Sequence, residues 1–299
     1  MSDKQTIVTG ASEAPPVVSE WQRFRRVFFQ RKIVIFGLVV LCLVVFTAIF
    51  ASWLAPHNPY KGKMADSLAQ PFGKEYLLGT DIQGRDTLSR LIYGTRTALM
   101  VGFLTVGIAA IAGSILGLLA GYFGGVTEMI IMRAMDALMG FPMLLLALLL
   151  ASVLGGGIQN VIIALSIATL PGYARVMYGL TLSVKENDYI TAERAMGSSN
   201  MRTMLKHIMP NALPPMIVLI TLWLGLTILA EANLSFLGIG IKPPGAAWGS
   251  MVNDGYQYLL MNPILSFAPG LTIMVVAFAF IMVGDGLRDA LDPRLRGLL

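Results

Sequence analysis

Long runs without a charged residue mark this sequence, among them residues 33–54 and 97–127. A helix rises about 1.5 Å per residue, so roughly 20 apolar residues cross a bilayer core about 30 Å thick. The first run also exceeds the apolar region of a signal peptide, which covers roughly 7–15 residues. The sequence therefore predicts an all-α membrane protein whose first span is not cleaved.

The overall composition agrees with a membrane location. Charged residues make up 13% of the chain, whereas soluble globular proteins carry roughly 25%. One cysteine, Cys42, excludes a disulfide framework, and the distance between His57 and His207 argues against a histidine-rich metal site. Neither Lys63 nor Lys74 completes a phosphate-binding GxxxxGK[ST] loop. We therefore expect no cofactor, metal or ATP to bind to this chain itself.

The N-terminal segment divides into two parts. Residues 1–20 are polar, contain two prolines and are predicted to be disordered. In residues 21–32, arginines alternate with Trp21 and several phenylalanines, a spacing that predicts an amphipathic helix on an anionic membrane surface.

Six membrane spans are predicted from the apolar runs. They cover residues 33–54, 97–120, 129–154, 161–179, 216–235 and 264–283. The last five spans and their loops form a membrane core over residues 97–284. The larger polar segments are the loops 55–96, 183–208 and 236–262 and a charged tail, 285–299.

Basic residues predict the orientation of these spans. With both termini inside, the cytoplasmic segments hold 15 of the 22 Lys and Arg residues, and the outside segments hold seven. Cytoplasmic loops carry the excess of basic residues in membrane proteins. We therefore expect both termini and loop 183–208 in the cytoplasm, and loops 55–96 and 236–262 outside.

Three glycines in the second predicted span recur at a spacing of four residues. Gly113, Gly117 and Gly121 therefore lie on one helix face, where bare backbone lets a neighbouring helix approach closely. The alternative is that these glycines are merely tolerated, because glycine is common in membrane helices.

The 183–208 loop contains a predicted short helix. Asn187 or Asp188 can cap its N-terminus, and Gly197 can end it in a left-handed conformation. Such a helix would offer a docking surface to a soluble partner, although an ordinary interfacial helix remains an alternative. Its narrow apolar stripe consists of Tyr189, Ala192, Ala195 and Met196.

The same loop resembles the cytoplasmic EAA loop of bacterial ABC importer permeases. That pattern is E-A-A, three residues, Gly, nine residues and I-x-L-P, and Ala192, Gly197 and Pro210 match it. The positions that depart from it are Thr191 for Glu, Glu193 for the second Ala, His207 for Ile and Met209 for Leu.

Three further stretches resemble the dipeptide/oligopeptide/nickel branch of these permeases. They are LGTDIQGRD at 78–86, LSFLGIG at 234–240 with Pro243-Pro244 and Trp248-Gly249 after it, and GDGLRDALDP at 284–293. The resemblance runs from residue 21 to 299 and is to the C-type permease subunits.

The resemblance implies a type I importer permease of a bacterial inner membrane. Its partners would be a second homologous permease, two ATPase subunits that bind ATP and Mg, and a periplasmic or lipid-anchored binding protein, but no nucleic acid. The cargo would be di- or oligopeptides, with nickel or another small solute as the alternative. The coupling residues to the ATPase would be Asp188, Tyr189, Ala192, Glu193, Ala195, Met196 and Gly197.

Charged residues near the spans are further candidates. Arg133 and Asp136 share a helix face and are expected to pair or to contact cargo, and Glu231, with Asn233 nearby, could meet an ammonium group or a salt-bridge partner. In the outer loop, Asp81, Gly84, Arg85 and Asp86 would order the loop or receive the binding protein. At the C-terminus, a clamp near the ATPase would consist of Asp285, Arg288 and Asp289.

Two other classes of protein fit less well. A secondary transporter would show inverted repeats and several carboxylates at mid-membrane. Only Glu231 lies in a predicted span without a basic neighbour, and it lies near a membrane end. A membrane protease or transferase would need a pattern such as HExxH or GxSxG, and the sequence has neither.

Overall fold

The computed structural model describes residues 20–291, and this part of the chain is helical. The predicted disordered tail therefore lies outside the described residues, apart from Glu20. The helices are α1 (Glu20–Gln30), α2 (Lys32–Ile49), α3 (Ala51–Leu54), α4 (Thr87–Phe123), α5 (Gly125–Met139), α6 (Met143–Leu154), α7 (Ile158–Lys185), α8 (Asp188–Ala195), α9 (Asn200–Thr203), α10 (Met209–Phe236), α11 (Trp248–Tyr256) and α12 (Ile264–Leu291). A 3₁₀ turn at Met64–Asp66 and a π-helical turn at Met204–Ile208 complete them.

The all-α fold class is confirmed. Within residues 20–291, β pairing is limited to one isolated bridge between Thr80 and Asp86. Five helices in this range are long and apolar enough to cross a membrane, and the number reaches six if the bent pair α5–α6 counts as one span.

The third predicted span is broken rather than continuous. Helices α5 and α6 meet at an angle of 90° across the short segment 140–142. The proline at 142 disfavours a helical conformation for Phe141 and cannot donate a backbone hydrogen bond itself. The predicted third span over 129–154 therefore corresponds to two helices that meet at a sharp bend.

The second predicted span begins much earlier than expected. Helix α4 starts at Thr87 rather than Thr97, and the Asp86 carboxylate caps it by accepting a hydrogen bond from the Ser89 backbone N–H at 2.9 Å. Arg90 and Arg96, which suggested a loop, lie inside the helix and donate to backbone carbonyls elsewhere. The connection between α3 and α4 is therefore the 55–86 loop.

The last two predicted spans are also longer than expected. Residues 200–236 form one continuous helical rod, whereas the fifth span was predicted to begin at Met216. Pro214 and Pro215 lie inside this rod. Helix α12 continues to Leu291 instead of ending at 283, so the first part of the predicted tail is helical and the rest lies outside the described residues.

A tight seam joins α4 to α7. A Cβ atom on Gly113 would lie 2.7 Å from the Tyr173 Cβ, and one on Gly121 would lie 2.8 Å from the Thr181 Cβ. A Cβ on Gly117 would collide with the Ala174 carbonyl oxygen. These distances are below normal van der Waals contact, so only glycine permits this packing. The seam lies toward the C-terminal ends of α4 and α7, next to the segment that follows α7.

Candidate functional sites

Helix α8 lies in the segment between α7 and α10, the α8 loop (residues 186–199). Its Ile190 side chain is fully buried, whereas Tyr189 is 47% exposed. Ala192, Ala195 and Met196 are exposed as well. The apolar stripe therefore faces away from the chain, and Ile190 attaches the opposite side of the helix to the core.

The C-terminal end of α8 is closed by a glycine. Gly197 has φ of +83°, and its N–H donates to the Arg194 carbonyl at 3.0 Å. The Ser198 N–H then returns to the Glu193 carbonyl at 3.2 Å. A β-branched residue resists this left-handed conformation, so glycine at 197 lets the chain turn sharply after the helix.

Several contacts position the α8 loop against the ends of the membrane helices. Lys185 donates to the Tyr122 carbonyl at the end of α4 (2.7 Å), and the Tyr122 hydroxyl donates to the Asn200 side chain at 2.8 Å. The Arg194 guanidinium lies over the Tyr122 ring, 4.8 Å from its centroid. The α8 loop therefore contacts the C-terminal end of α4, beside the seam, and the start of the rod at Asn200.

Glu193 points toward the chain rather than along the exposed stripe. Its Oε1 lies 3.2 Å from His207 Nε2 and 3.4 Å from Arg202 Nε. The first turn of α8 differs, because Asp188 is exposed there. Glu193 therefore differs from the other residues expected to couple to an ATPase, because its side chain contacts the chain itself and is not part of the exposed stripe.

The 55–86 loop buries a cluster of charged side chains. Asp81 accepts hydrogen bonds from the backbone N–H groups of Gln83 (2.9 Å) and Arg85 (3.0 Å) and from Arg85 Nε (2.6 Å). Arg85 and Asp86 are each 2% exposed. Gly84 has φ of +69°, and a Cβ there would collide with the Lys63 carbonyl. The charges of Asp81, Arg85 and Asp86 are therefore buried and have contacts within the chain.

Arg90 extends this cluster to a distant part of the chain, and sequence analysis missed it. It is 1% exposed, lies 3.5 Å from Asp81 and donates to the carbonyl oxygens of Pro59 (3.2 Å) and Gly245 (3.3 Å). Its separation of 155 residues from Gly245 left no local signal. The neighbouring Trp248 donates to the Leu91 carbonyl at 3.0 Å and packs against Gly94.

Asp254 on α11 completes the cluster from the other side. Its carboxylate lies 3.9 Å from Arg85 Nη2. Burial raises the pKa of this carboxyl, while Arg90 and Arg85 act in the opposite direction. The cluster thus joins the start of α4 to the segment between α10 and α12.

The expected pair between Arg133 and Asp136 is wrong. Asp136 pairs with Arg175 on α7 at 2.5 Å, while Arg133 is exposed. Helix α7 packs against α5 and presents its arginine directly to the aspartate, so a neighbouring helix replaces the partner on the same face.

Glu231 is 2% exposed and accepts a hydrogen bond from Ser235, one turn later, at 2.6 Å. Asn233 is exposed and donates to the Leu229 carbonyl of its own helix at 2.9 Å. The two side chains therefore point in different directions and do not form one site.

The three residues of the predicted C-terminal clamp also differ in their surroundings. Asp289 pairs with Arg31 at 2.7 Å, and Phe28, Val34 and Val283 form a small apolar cluster beside this pair. Asp285 and Arg288 are exposed. The clamp therefore joins the two ends of the described chain through Asp289. Among residues 20–291, no group of three or more His, Cys, Asp or Glu side chains could hold a metal ion.

Comparison with known proteins places these features in a family. A model described as the inner membrane component of binding-protein-dependent transport systems matches residues 113–297. A second, for the N-terminal transmembrane domain of oligopeptide transport permease C, matches residues 19–71.

Similar curated proteins cover nearly the whole chain. The dipeptide transport system permease protein DppC of Alkalihalophilus pseudofirmus is 38% identical over 97% of both chains. The di/tripeptide permease DppC of Pseudomonas aeruginosa is 40% identical over 94% of this chain and 93% of its own. The glutathione permease GsiD of Escherichia coli is 40% identical over 93% of this chain and 90% of its own.

A solved structure shows the same fold. The MetNI methionine ABC transporter aligns with a TM-score of 0.55 and 20% identity, over 68% of this chain and 96% of its own. Membership of the family implies a binding protein, an ATPase and a second permease as partners. The resemblance noted in the sequence is thereby confirmed: the chain belongs to the permease subunits of binding-protein-dependent ABC importers, which are non-catalytic, multi-pass proteins of the inner membrane.

Proposed function

We propose that this chain forms half of the transmembrane pathway of an ATP-driven importer of small peptides. A second homologous permease would supply the other half, two ATPase subunits would bind ATP and Mg, and a periplasmic or lipid-anchored binding protein would deliver the cargo. The names of the relatives support a peptide cargo, since they transport dipeptides, di/tripeptides or glutathione.

The exposed stripe of α8 is the observation that carries the coupling role. A polar loop gains nothing by holding Tyr189 and Met196 in water, whereas a cleft on a partner would bury them. In our proposal the ATPase closes around this face, and the rigid rod from Asn200 passes the movement into the membrane. The permease then shifts between two packing arrangements that ATP biases through α8.

The orientation in this proposal has both termini and α8 in the cytoplasm and the 55–86 loop outside. The distribution of basic residues supports it. Single cysteines at Gln70 and Asn200 in a Cys42→Ser background test it. An impermeant maleimide should label position 70 in intact cells and position 200 only after permeabilisation, and the reverse pattern would exclude this orientation.

Ala192→Arg tests the coupling role directly. An arginine on the stripe would be desolvated and unpaired inside the cleft, at a cost of several kcal/mol, so the ATPases should no longer co-purify. Ser183→Arg is the matched control, because it adds the same charge at an exposed position of α7. Normal co-purification and uptake by Ala192→Arg would make α8 an ordinary interfacial helix.

Gly197→Val separates docking from transmission. It leaves the stripe intact but opposes the positive φ at 197. This variant should keep at least part of the ATPase association and lose cargo-stimulated hydrolysis. Equal loss of both in Gly197→Val and Ala192→Arg would contradict the separation.

Transport assays distinguish the cargo alternatives. The reconstituted complex should hydrolyse ATP faster with a binding protein loaded with dipeptide or glutathione than with nickel. The glutathione permeases are as similar to this chain as the dipeptide permeases, so both peptides belong in the test. Uptake that continues without the ATPases would instead indicate a secondary transporter.

A further inference from the structure

Glu193 and His207 depart from the EAA pattern at two separate positions, and the fold brings them together. Glu193 stands where the pattern has alanine and His207 where it has isoleucine. Their side-chain atoms Oε1 and Nε2 are 3.2 Å apart. A pair of small and branched apolar residues is thus replaced by a pair that can form a hydrogen bond and, when the histidine is protonated, an ion pair.

The surroundings of this pair are polar but enclosed. The Glu193 side chain is 16% exposed and that of His207 29%. Arg202 Nε approaches Glu193 to 3.4 Å, and the Tyr189 ring lies 6.4 Å from the His207 ring. Asn211 links the same elements, donating to the Tyr189 hydroxyl at 3.3 Å and to the His207 carbonyl at 2.6 Å.

Glu193 and His207 belong to different helical elements. Glu193 belongs to α8, whose chain turns sharply at Gly197, where φ is +83°. His207 belongs to the π-helical turn 204–208, which runs directly into α10. Such turns occur frequently at functional sites in helices. Between Glu193 and His207 the chain is short and turns at Gly197, where glycine allows a range of backbone conformations. The contact between the two side chains therefore fixes the angle between α8 and the rod.

We propose that Glu193 and His207 are positioning residues that fasten α8 to the base of α10, so that movement of a docked ATPase reaches the membrane helices. This inference rests on the proposed coupling role of α8. It assigns the pair no part in ATPase binding, since neither side chain lies on the exposed stripe. We expect an alanine–isoleucine pair to replace it, because that pair leaves no polar side-chain atom without a partner, whereas a mixed pair does.

A double-mutant cycle tests the proposal. Glu193→Ala leaves His207 without its partner, and His207→Ile leaves an enclosed carboxylate beside isoleucine. Each single variant should lower cargo-stimulated ATP hydrolysis by roughly tenfold, which corresponds to about 1.4 kcal/mol and is within the range of coupling between neighbouring residues. The combined Glu193→Ala/His207→Ile variant should recover most of the wild-type rate, and all three should retain the ATPases in pull-down assays.

Two results would overturn the proposal. One is a double variant that loses as much as the two single variants together, since the residues would then act independently. The other is loss of ATPase co-purification in the single variants, since the pair would then belong to the docking surface.

A distance measurement keeps this test separate from the proposed function. Spin labels at Thr191 and Leu213, both exposed, report the separation of α8 and α10 without any ATPase present. The distance distribution should broaden in each single variant and narrow again in the double variant. Identical distributions in all four proteins would exclude the positioning role, whereas failure of the Ala192→Arg test with intact distance changes would exclude only the coupling role.

Discussion

The 55–86 loop and the α8 loop are both polar connections between membrane helices, but they differ in where their contacts are made. The first buries Asp81, Arg85 and Asp86 and pairs them within the chain. The second holds Tyr189 and Met196 in an exposed stripe and attaches α8 to the core through Ile190. Charged residues are thus inside in one loop, and apolar residues are outside in the other.

This difference suggests separate roles for the two sets of residues, one in folding and the other in binding a partner. Buried charges require partners at fixed distances, and the buried charges of the 55–86 loop have theirs within this chain, so we expect these residues to act on folding. An exposed apolar stripe fits a second surface, and in our proposal the ATPase covers the stripe of α8. Substitutions in the two loops should therefore affect different measurements.

Asp81→Ala should have the largest effect of the variants that test this comparison. It removes the partner of Arg85 and a contact of Arg90, and breaking a buried pair in this way costs about 3–5 kcal/mol. The thermal unfolding midpoint of the purified permease in detergent should fall strongly. Asp188→Ala, on the exposed first turn of α8, is the control and should change stability by less than about 1 kcal/mol. Equal midpoints for the two variants would contradict the division between the loops.

The α4–α7 seam, which lies beside the α8 loop, tests how much close backbone packing contributes to stability. Gly117→Ala places a Cβ against the Ala174 carbonyl and should destabilise the fold by about 1–3 kcal/mol, as overpacking usually does. Gly107→Ala on the same helix meets no atom within 4 Å and should be neutral or slightly stabilising. The measurement is again the unfolding midpoint, together with the yield of assembled complex. Equal midpoints for Gly117→Ala and Gly107→Ala would contradict the close packing at Gly117.

Local pattern was enough to predict the seam and the position of α8, because both depend on residues one or two turns apart. The glycine spacing of four and the exposed stripe are visible in a single helix. The start of α4 was not predictable in this way. Arg90 and Arg96 read as loop residues, and only carbonyl groups from Pro59, Gly245 and Ile49 make them compatible with a helix.

Two further departures have the same origin. Asp136 pairs with Arg175 on another helix rather than with Arg133 three residues away. Pro142 favours a break between α5 and α6, but the residues on both sides of it are apolar, so the sequence predicted one span there. Contacts between residues far apart in sequence determine such ion pairs. The contact of Glu193 with His207 is another example that the sequence did not predict.

Met196→Ser tests the recognition half of the comparison. Met196 is 77% exposed, so the variant should leave the unfolding midpoint of the isolated permease unchanged. Burying a methionine side chain contributes about 1.5–3 kcal/mol, so ATPase affinity should fall by roughly tenfold or more. Met64→Ser in the 55–86 loop, where Met64 is 75% exposed, is the matched control and should change neither value. An unchanged affinity for Met196→Ser would remove this residue from the docking surface.

Asp254→Asn should have the smallest effect, and it reports how burial acts on the charged cluster. Burial raises the pKa of Asp254 despite the nearby Arg90 and Arg85, so the folded protein holds this proton more tightly than the unfolded chain does. Between an ordinary aspartate pKa of about 3.9 and the raised value, the folded state therefore binds more protons, and stability falls as pH rises through that window. Asparagine does not titrate, so the variant escapes this loss. The unfolding midpoint of Asp254→Asn relative to wild type should increase as the pH is raised above the ordinary aspartate pKa and level off once it exceeds the raised pKa. A difference that instead decreases over this range would mean that the arginines outweigh burial, and Asp254 would then stabilise the cluster as an ion-pair partner.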